Sequence, residues 1–140
     1  MRVKAASMSI QGAFSLERRR ALVTGASRGL GQAIALALAD AGADVVCAGT
    51  TADRCAETAE AIRDKGHEAW AIGGDLSDRA AVERLADEAE SRAGRIDILV
   101  NNAGTIRRHP AAEFPTGTGT MCSIRTSMLC FCCAAISVPG

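Results

Sequence analysis

From Arg20 to Gly104 the chain alternates short apolar runs with longer stretches of helical periodicity. ALVTG (Ala21–Gly25) reads as a strand stopped by glycine, and ADVVCAG (Ala43–Gly49), EAWAIGGD (Glu68–Asp75) and RIDILVNNAG (Arg95–Gly104) read as three more. Between them, LGQAIALALADAG places Leu30, Ile34, Ala37, Leu38 and Ala41 at helical spacing, with Gly42 set to end the helix. TADRCAETAEAIRDKG predicts a second helix with Thr51 or Asp53 as N-cap and Gly66 just past its end. SDRAAVERLADEAESRAG predicts a third, with Val82, Leu85, Ala86 and Ala89 inward and Gly94 closing it.

The strands are apolar on consecutive positions, the pattern of a sheet covered by helices on both faces. Strands joined by helices of this length require right-handed crossovers and parallel pairing. The expectation is an α/β, doubly wound parallel sheet of Rossmann-like type, incomplete, with an irregular C-terminal tail. It divides the chain into an extension (1–19), a partial domain (20–115) and an aberrant tail (116–140).

Ligands of open parallel sheets bind beyond the carboxyl ends of the strands. There the chain places its unusual residues. The first strand runs into TGASRGLG, with glycines at 25, 29 and 31. That spacing is G-x-x-x-G-x-G rather than G-x-G-x-x-G, but it suits the same task. Gly25 permits a sharp exit from the strand, Gly29 lets backbone approach a pyrophosphate, and Gly31 lets the helix pack closely. The helix N-terminus offers unpaired N–H groups and partial positive charge. A ligand-free glycine turn is the plain alternative. Asp75, in GGDLSD, is placed to accept from an adenine amino group or simply to cap its loop. NNAG (101–104) offers small residues against which a ribose can lie and amides able to tie strands together; an Asx turn is the plainer reading.

In that order and at those spacings, TGASRGLG, Asp75-Leu76 and NNAG resemble the short-chain dehydrogenase/reductase family, over roughly Phe14 to Phe114. FSLERRRALVTGASRGLGQAIALALADAGADVV and NNAGTIRRHPAAEF are similar to its sugar-acid-oxidising subgroup, such as 2-deoxy-D-gluconate 3-dehydrogenase and gluconate 5-dehydrogenase. The resemblance implies a nicotinamide dinucleotide, with Gly25, Ser27, Arg28, Gly29, Leu30 and Gly31 around the pyrophosphate and adenosine ribose. It implies Asp75 and Leu76 beside adenine, and Asn102, Ala103 and Gly104 along the nicotinamide-side ribose. NAD preference needs a carboxylate at the end of the second strand. Here that end reads AGTTAD, with no carboxylate before Asp53. Arg28 is placed to meet a 2′-phosphate or to stand as a solvated loop arginine. The reading is NAD or NADP, leaning slightly to NADP, whereas the resemblance to the sugar-acid subgroup suggests NAD.

Hydride transfer in the family uses a Ser-Tyr-Lys group, in which tyrosine exchanges the proton. This chain has no tyrosine, and its lysines are Lys4 and Lys65. No catalytic residue is therefore assigned. After Pro115 the text TGTGTMCSIRTSMLCFCC departs from the family's next helix. Reading from the third base of the Thr118 codon permits W-D-x-V-L-D-x-N-L-D-A-V-F, so the tail is expected to follow a reading-frame slip near Thr116–Thr118. Zinc binding by Cys130, Cys132 and Cys133 with Cys122 or His109 lacks a second well-spaced pair. Arg107, Arg108 and His109 are placed to approach an anionic sugar acid or to form a solvated loop.

Composition narrows the partners. The formal net charge is zero, which argues against nucleic acid or an anionic membrane surface. The first twenty residues lack the apolar run of about 7–15 residues that a secretory signal needs. Ser127–Val138 is far short of the roughly 20 residues that span a bilayer. The expected protein is cytoplasmic, with reduced thiols. Its expected partners are the dinucleotide and, in full-length homo-oligomeric relatives, a small-molecule substrate. A non-catalytic dinucleotide-binding module and a non-functional product remain alternatives. Exposed surface left by missing strands predicts marginal stability and aggregation.

Overall fold

The computed structural model describes residues 14–104. The expected tail and the basic loop Arg107–His109 lie outside the described residues. Within them, β1 (Arg20–Thr24), α1 (Gly29–Asp40), β2 (Asp44–Gly49), α2 (Asp53–Asp64), β3 (Ala69–Gly73), α3 (Arg79–Ala93) and β4 (Ile98–Val100) alternate.

Every strand pairing is parallel, in the order β3-β2-β1-β4. The chain therefore builds outward from β1 to β3, then returns to lay β4 on the other side of β1. The direction reverses between β1 and β4, the place where open α/β sheets form their crevice. The register sets Val23 beside Cys47 on one side and Val100 on the other.

Alternate strand residues feed two cores. Leu22, Val46, Ala48 and Ile72 pack with Val82, Leu85, Ala86 and Ala89 of α3. Val23, Val45 and Cys47 pack on the opposite face with Ala35 and Ala39 of α1 and Cys55, Ala59 and Ile62 of α2. Leu22 is fully buried, and its truncation to alanine would cost about 2–5 kcal/mol. The α/β fold is as expected, and the inner face of α3 is as read from its spacing.

Three local expectations are corrected. The buried stripe of α1 is Gly31, Ala35 and Ala39, not the set running from Leu30 to Ala41. Nearly every face of this helix is apolar, and the smallest side chains turn inward because they let it lie close to β1 and β2. Ile34 and Leu38 flank that stripe half-buried, and Leu30 is 70% exposed. Secondly, α2 is capped by neither Thr51 nor Asp53. Ala52 occupies the N-cap without a side-chain acceptor, and Asp53 lies in the first turn, where the helix dipole favours its charge. Thirdly, β4 is shorter than the run RIDILVNNAG. Its ladder stops at Val100 because the Asn102 amide N–H turns to Thr24 Oγ1 (3.1 Å) and the Val100 carbonyl (3.1 Å).

Candidate functional site

All four strands point their carboxyl ends to one side, and the connections there build the site. Gly25 leaves β1 with φ +70°, and a Cβ on it would lie 2.9 Å from Ala103 Cα. The turn after β1 thus rests directly on the NNAG turn after β4. Gly31, in the first turn of α1, is closer still: its missing Cβ would fall on the Gly25 carbonyl, 2.7 Å from the carbonyl carbon.

Thr24, fully buried, organises this junction. Its hydroxyl donates to the Val100 carbonyl (3.2 Å) and accepts from the Asn102 and Ala103 amides, each at 3.1 Å. Asn102 answers with its side chain, whose Nδ2 donates to the carbonyls of Thr24 (3.1 Å) and Gly25 (3.4 Å). Thr58, the other buried polar residue among those described, reaches from α2 and donates from Oγ1 to the Ala26 carbonyl at 2.9 Å. The Ala26 amide donates to the Ala48 carbonyl at 3.1 Å. The loop after β1 is therefore clamped by β2, α2 and the Asn102 turn.

The start of α1 is left open by comparison. Arg28 is its N-cap, with no side-chain cap hydrogen bond and no acidic residue in the first turn. At α3, by contrast, Asp78 accepts from the Ala80 amide at 3.2 Å. Uncapped N–H groups and the positive end of the helix dipole make such a terminus suited to an anion.

These connections enclose a cleft of about 320 Å³ lined by Gly25, Ser27, Arg28, Leu30 and Gly31 from the β1–α1 turn, with Asp75, Leu76, Asn102, Ala103 and Gly104 opposite. Each was singled out from sequence. Gly29 was too, but it does not line the cleft; it carries φ +59° at the first turn of α1, with nothing within 4 Å of an added Cβ. The structure shows Asp75 in its loop-capping role, Oδ1 accepting from the Ser77 amide (2.9 Å) and hydroxyl (2.6 Å). Leu76 joins cleft to core, being 8% exposed.

Gly49, Thr50, Arg54 and Gly74 complete the lining. Of these, Arg54 escaped sequence reasoning because it reads as a solvated helix residue. The usable signal was its position in the first turn of the helix that leaves β2 beside the crevice. Thr24 and Thr58 were missed as well, since threonine in a strand or helix gives no hint of a buried bond. Beneath the cleft, a Cβ on Gly49 would lie 2.7 Å from Cys55 Sγ. Burial and the neighbouring Cys55 push the Cys47 thiol up to about 12, and burial raises Cys55 too. Both are therefore packing groups rather than nucleophiles. Among the described residues no group of three His, Cys, Asp or Glu is placed to hold a metal ion, and no helix is long and apolar enough to cross a membrane.

Known proteins share this fold. The short chain dehydrogenase family model matches residues 19–134. The 2-dehydro-3-deoxy-D-gluconate 5-dehydrogenase of Escherichia coli K12 is 46% identical over 105 residues, 75% of this chain and 41% of that protein. A gluconate 5-dehydrogenase from Burkholderia cenocepacia, solved with NADP and tartrate, superposes with a TM-score of 0.80 at 36% identity, covering 92% of this chain and 51% of the other. The Pseudomonas aeruginosa RhlG/NADP complex gives 0.81 at 39% identity, over 89% and 49%. The chain thus spans about two-fifths of the length of the curated relative and half that of the solved structures. With a matching family model, a shared fold and the motif residues gathered at one crevice, the chain belongs to the short-chain dehydrogenase family.

Proposed function

We propose that this chain is the dinucleotide-holding part of an NAD(P)-dependent oxidoreductase acting on a hydroxyl or carbonyl substrate of the sugar-acid class. The observation that carries the reading is convergence: the ends of β1, β2, β3 and β4 bring the uncapped start of α1, Asp75-Leu76 and Asn102–Gly104 to one cleft. The residues fit the cofactor. The first N–H groups of α1 meet the pyrophosphate, Leu76 lies against adenine with Asp75 beside it, and Asn102, Ala103 and Gly104 line the nicotinamide-side ribose. The nicotinamide ring supplies or accepts a hydride; this chain's own residues bind and orient. NADP is favoured over NAD because Thr50 rather than a carboxylate lines the end of β2, and Arg28 lines the same cleft. The NADP complexes of two structural neighbours support that choice, and the relatives' names support a sugar acid.

Turnover is outside this reading. The sequence has no tyrosine. Lys65 lies just past the far end of α2, about 18 Å of helix from the cleft, and pairs with Asp40. We read 20–115 as the partial domain and 116–140 as out of frame, a reading that nucleotide sequence across Thr116–Thr118 would test. A cytoplasmic setting and homo-oligomeric full-length relatives belong to the same proposal. The alternative reading is a module that binds dinucleotide without reacting.

Isothermal titration of the full chain with NADPH and NADH tests the binding site. Saturable one-to-one binding, lost in Gly31→Val, is expected; no binding of either nucleotide would refute the proposal. Adding the remaining half of a sugar-acid-oxidising relative and assaying oxidation separates a catalytic half from a silent module.

A further inference from the structure

We infer that Arg63 and Arg92 close the free edge of β3 against pairing with a second copy of this chain. The inference does not depend on the dinucleotide reading. β3 stands at one end of the sheet, with β2 on its inner side. Along such a ladder successive residues direct their backbone N–H and C=O groups alternately inward and outward. The Val45 amide donates to the Glu68 carbonyl at 3.0 Å, and the Gly74 amide to the Gly49 carbonyl at 2.9 Å. Those bonds fix the even-numbered positions as inward. Ala69, Ala71 and Gly73 therefore turn their backbone groups away from β2. The strand itself, AWAIG, carries no charge and is largely apolar, so its edge would otherwise be a ready template for another strand.

Two of the three outward carbonyls are met by arginine. Arg63, in the last turn of α2, donates to the Ala69 carbonyl from Nη2 at 2.6 Å and from Nε at 3.1 Å. Arg92, in the last turn of α3, donates from Nη1 to the Ala71 carbonyl at 3.5 Å, while Glu88 holds its Nη2 at 2.8 Å. The helix dipole favours a cation at both places. Because α2 and α3 cover opposite faces of the sheet, the two guanidinium groups reach the same edge from both sides. Arg63 forms no ion pair among the described residues, so its charge stays at the edge. An arriving strand would need the Ala69 and Ala71 carbonyls for its own N–H groups. It would have to strip both arginines of charge-assisted bonds and set its donors beside their positive charge.

The test is sedimentation velocity of the full chain over a concentration series. It compares wild type, the double variant Arg63→Met/Arg92→Met and the charge-keeping Arg63→Lys/Arg92→Lys. The methionine pair is expected to self-associate at about tenfold lower concentration than wild type, the scale of one charge-assisted hydrogen bond. The lysine pair should stay close to wild type. On association, hydrogen exchange should slow at the amides of Ala71 and Gly73, because these N–H groups face outward. Adding Ala71→Pro to the methionine pair removes an outward N–H and no bond of the sheet, so it should return association to the wild-type level. Unchanged association in the methionine pair, or association that Ala71→Pro leaves intact, would overturn the guard. A methionine pair that unfolds and clumps belongs to the second outcome, since proline cannot cure it, and thermal melting of each variant identifies that case.

Discussion

Gly31 packs against the carbonyl of Gly25, so closely that a side chain at position 31 would displace the turn after β1. The same Cβ would also run into the Asn102 amide. Neither neighbour is the end of a flexible chain: one is backbone, and the other is tied to two carbonyls. Gly31→Ala should therefore cost about 1–3 kcal/mol of stability, the range for overpacked sites, and weaken dinucleotide binding at least tenfold. Gly29→Ala is the control, since its Cβ would enter open space. It should cost about 1–2 kcal/mol through the positive φ alone. Thermal melts and nucleotide titration of both variants check the contrast.

Thr24 ties β1 to the turn after β4 through one hydroxyl that donates once and accepts twice. Thr24→Val keeps the shape and removes all three bonds. Because the Val100 carbonyl and two amides lose a partner in a part-buried place, the loss should be about 2 kcal/mol. Nucleotide affinity should fall with it, as Asn102 and Ala103 lose their anchor. Thr24→Ser, which retains the hydroxyl, should recover most of the affinity. An unchanged affinity in Thr24→Val would mean that the turn is held by Asn102 alone.

The sheet and the cleft were legible because they rest on patterns that only one geometry satisfies. Consecutive apolar residues at Val45, Val46 and Cys47 need helices on both faces, and the Gly25-Gly31 spacing needs a tight turn into a helix. What was not legible is tertiary. The inward stripe of α1 could not be read from a helix apolar on nearly all faces; the sheet selects Gly31, Ala35 and Ala39 by size. Thr58 carries no local signal, because its importance comes from the carbonyl that the β1 turn brings beside it. Asp75 offered two roles to a reader of sequence, and the structure shows its bonds to Ser77.

Thr58 offers a separate view of how the loop is held. Its hydroxyl is the bond from α2 to the Ala26 carbonyl, 32 residues away in sequence. Thr58→Val leaves that carbonyl without this fully buried donor, for a cost of about 1–2 kcal/mol. The expected signature is faster amide hydrogen exchange in the turn after β1, with the exchange of α3 unchanged. Uniform acceleration across the protein would instead show that Thr58 supports global stability only.

Cys47 and Cys55 should resist thiol reagents in the folded protein. Both are fully buried, and burial holds their thiols protonated, Cys47 up to about 12. Treatment with iodoacetamide at pH 8 followed by peptide mass spectrometry should leave both unmodified until denaturant is added. Rapid alkylation of Cys55 under native conditions would show that α2 opens away from Gly49.

Asp97 makes the opposite end of the sheet sensitive to acid. The Arg20 amide donates to its Oδ2 at 3.1 Å, and Arg19 and Arg95 approach Oδ1 at 3.3 and 3.5 Å. The backbone bond foremost, then the Arg19 bond and the two positive charges, outweigh burial and hold its carboxyl below the usual carboxylate range. A lowered folded value means that the unfolded chain binds the proton more readily. The stabilisation is then complete above the unfolded value of about 3.9 and disappears as pH falls through the lower folded value. Asp97→Asn should cost on the order of 1 kcal/mol at pH 7 and progressively less below pH of about 4. Urea unfolding of both proteins from pH 7 to pH 3 measures this, and curves that stay parallel across the range would show that Asp97 titrates alike in the folded and unfolded chain.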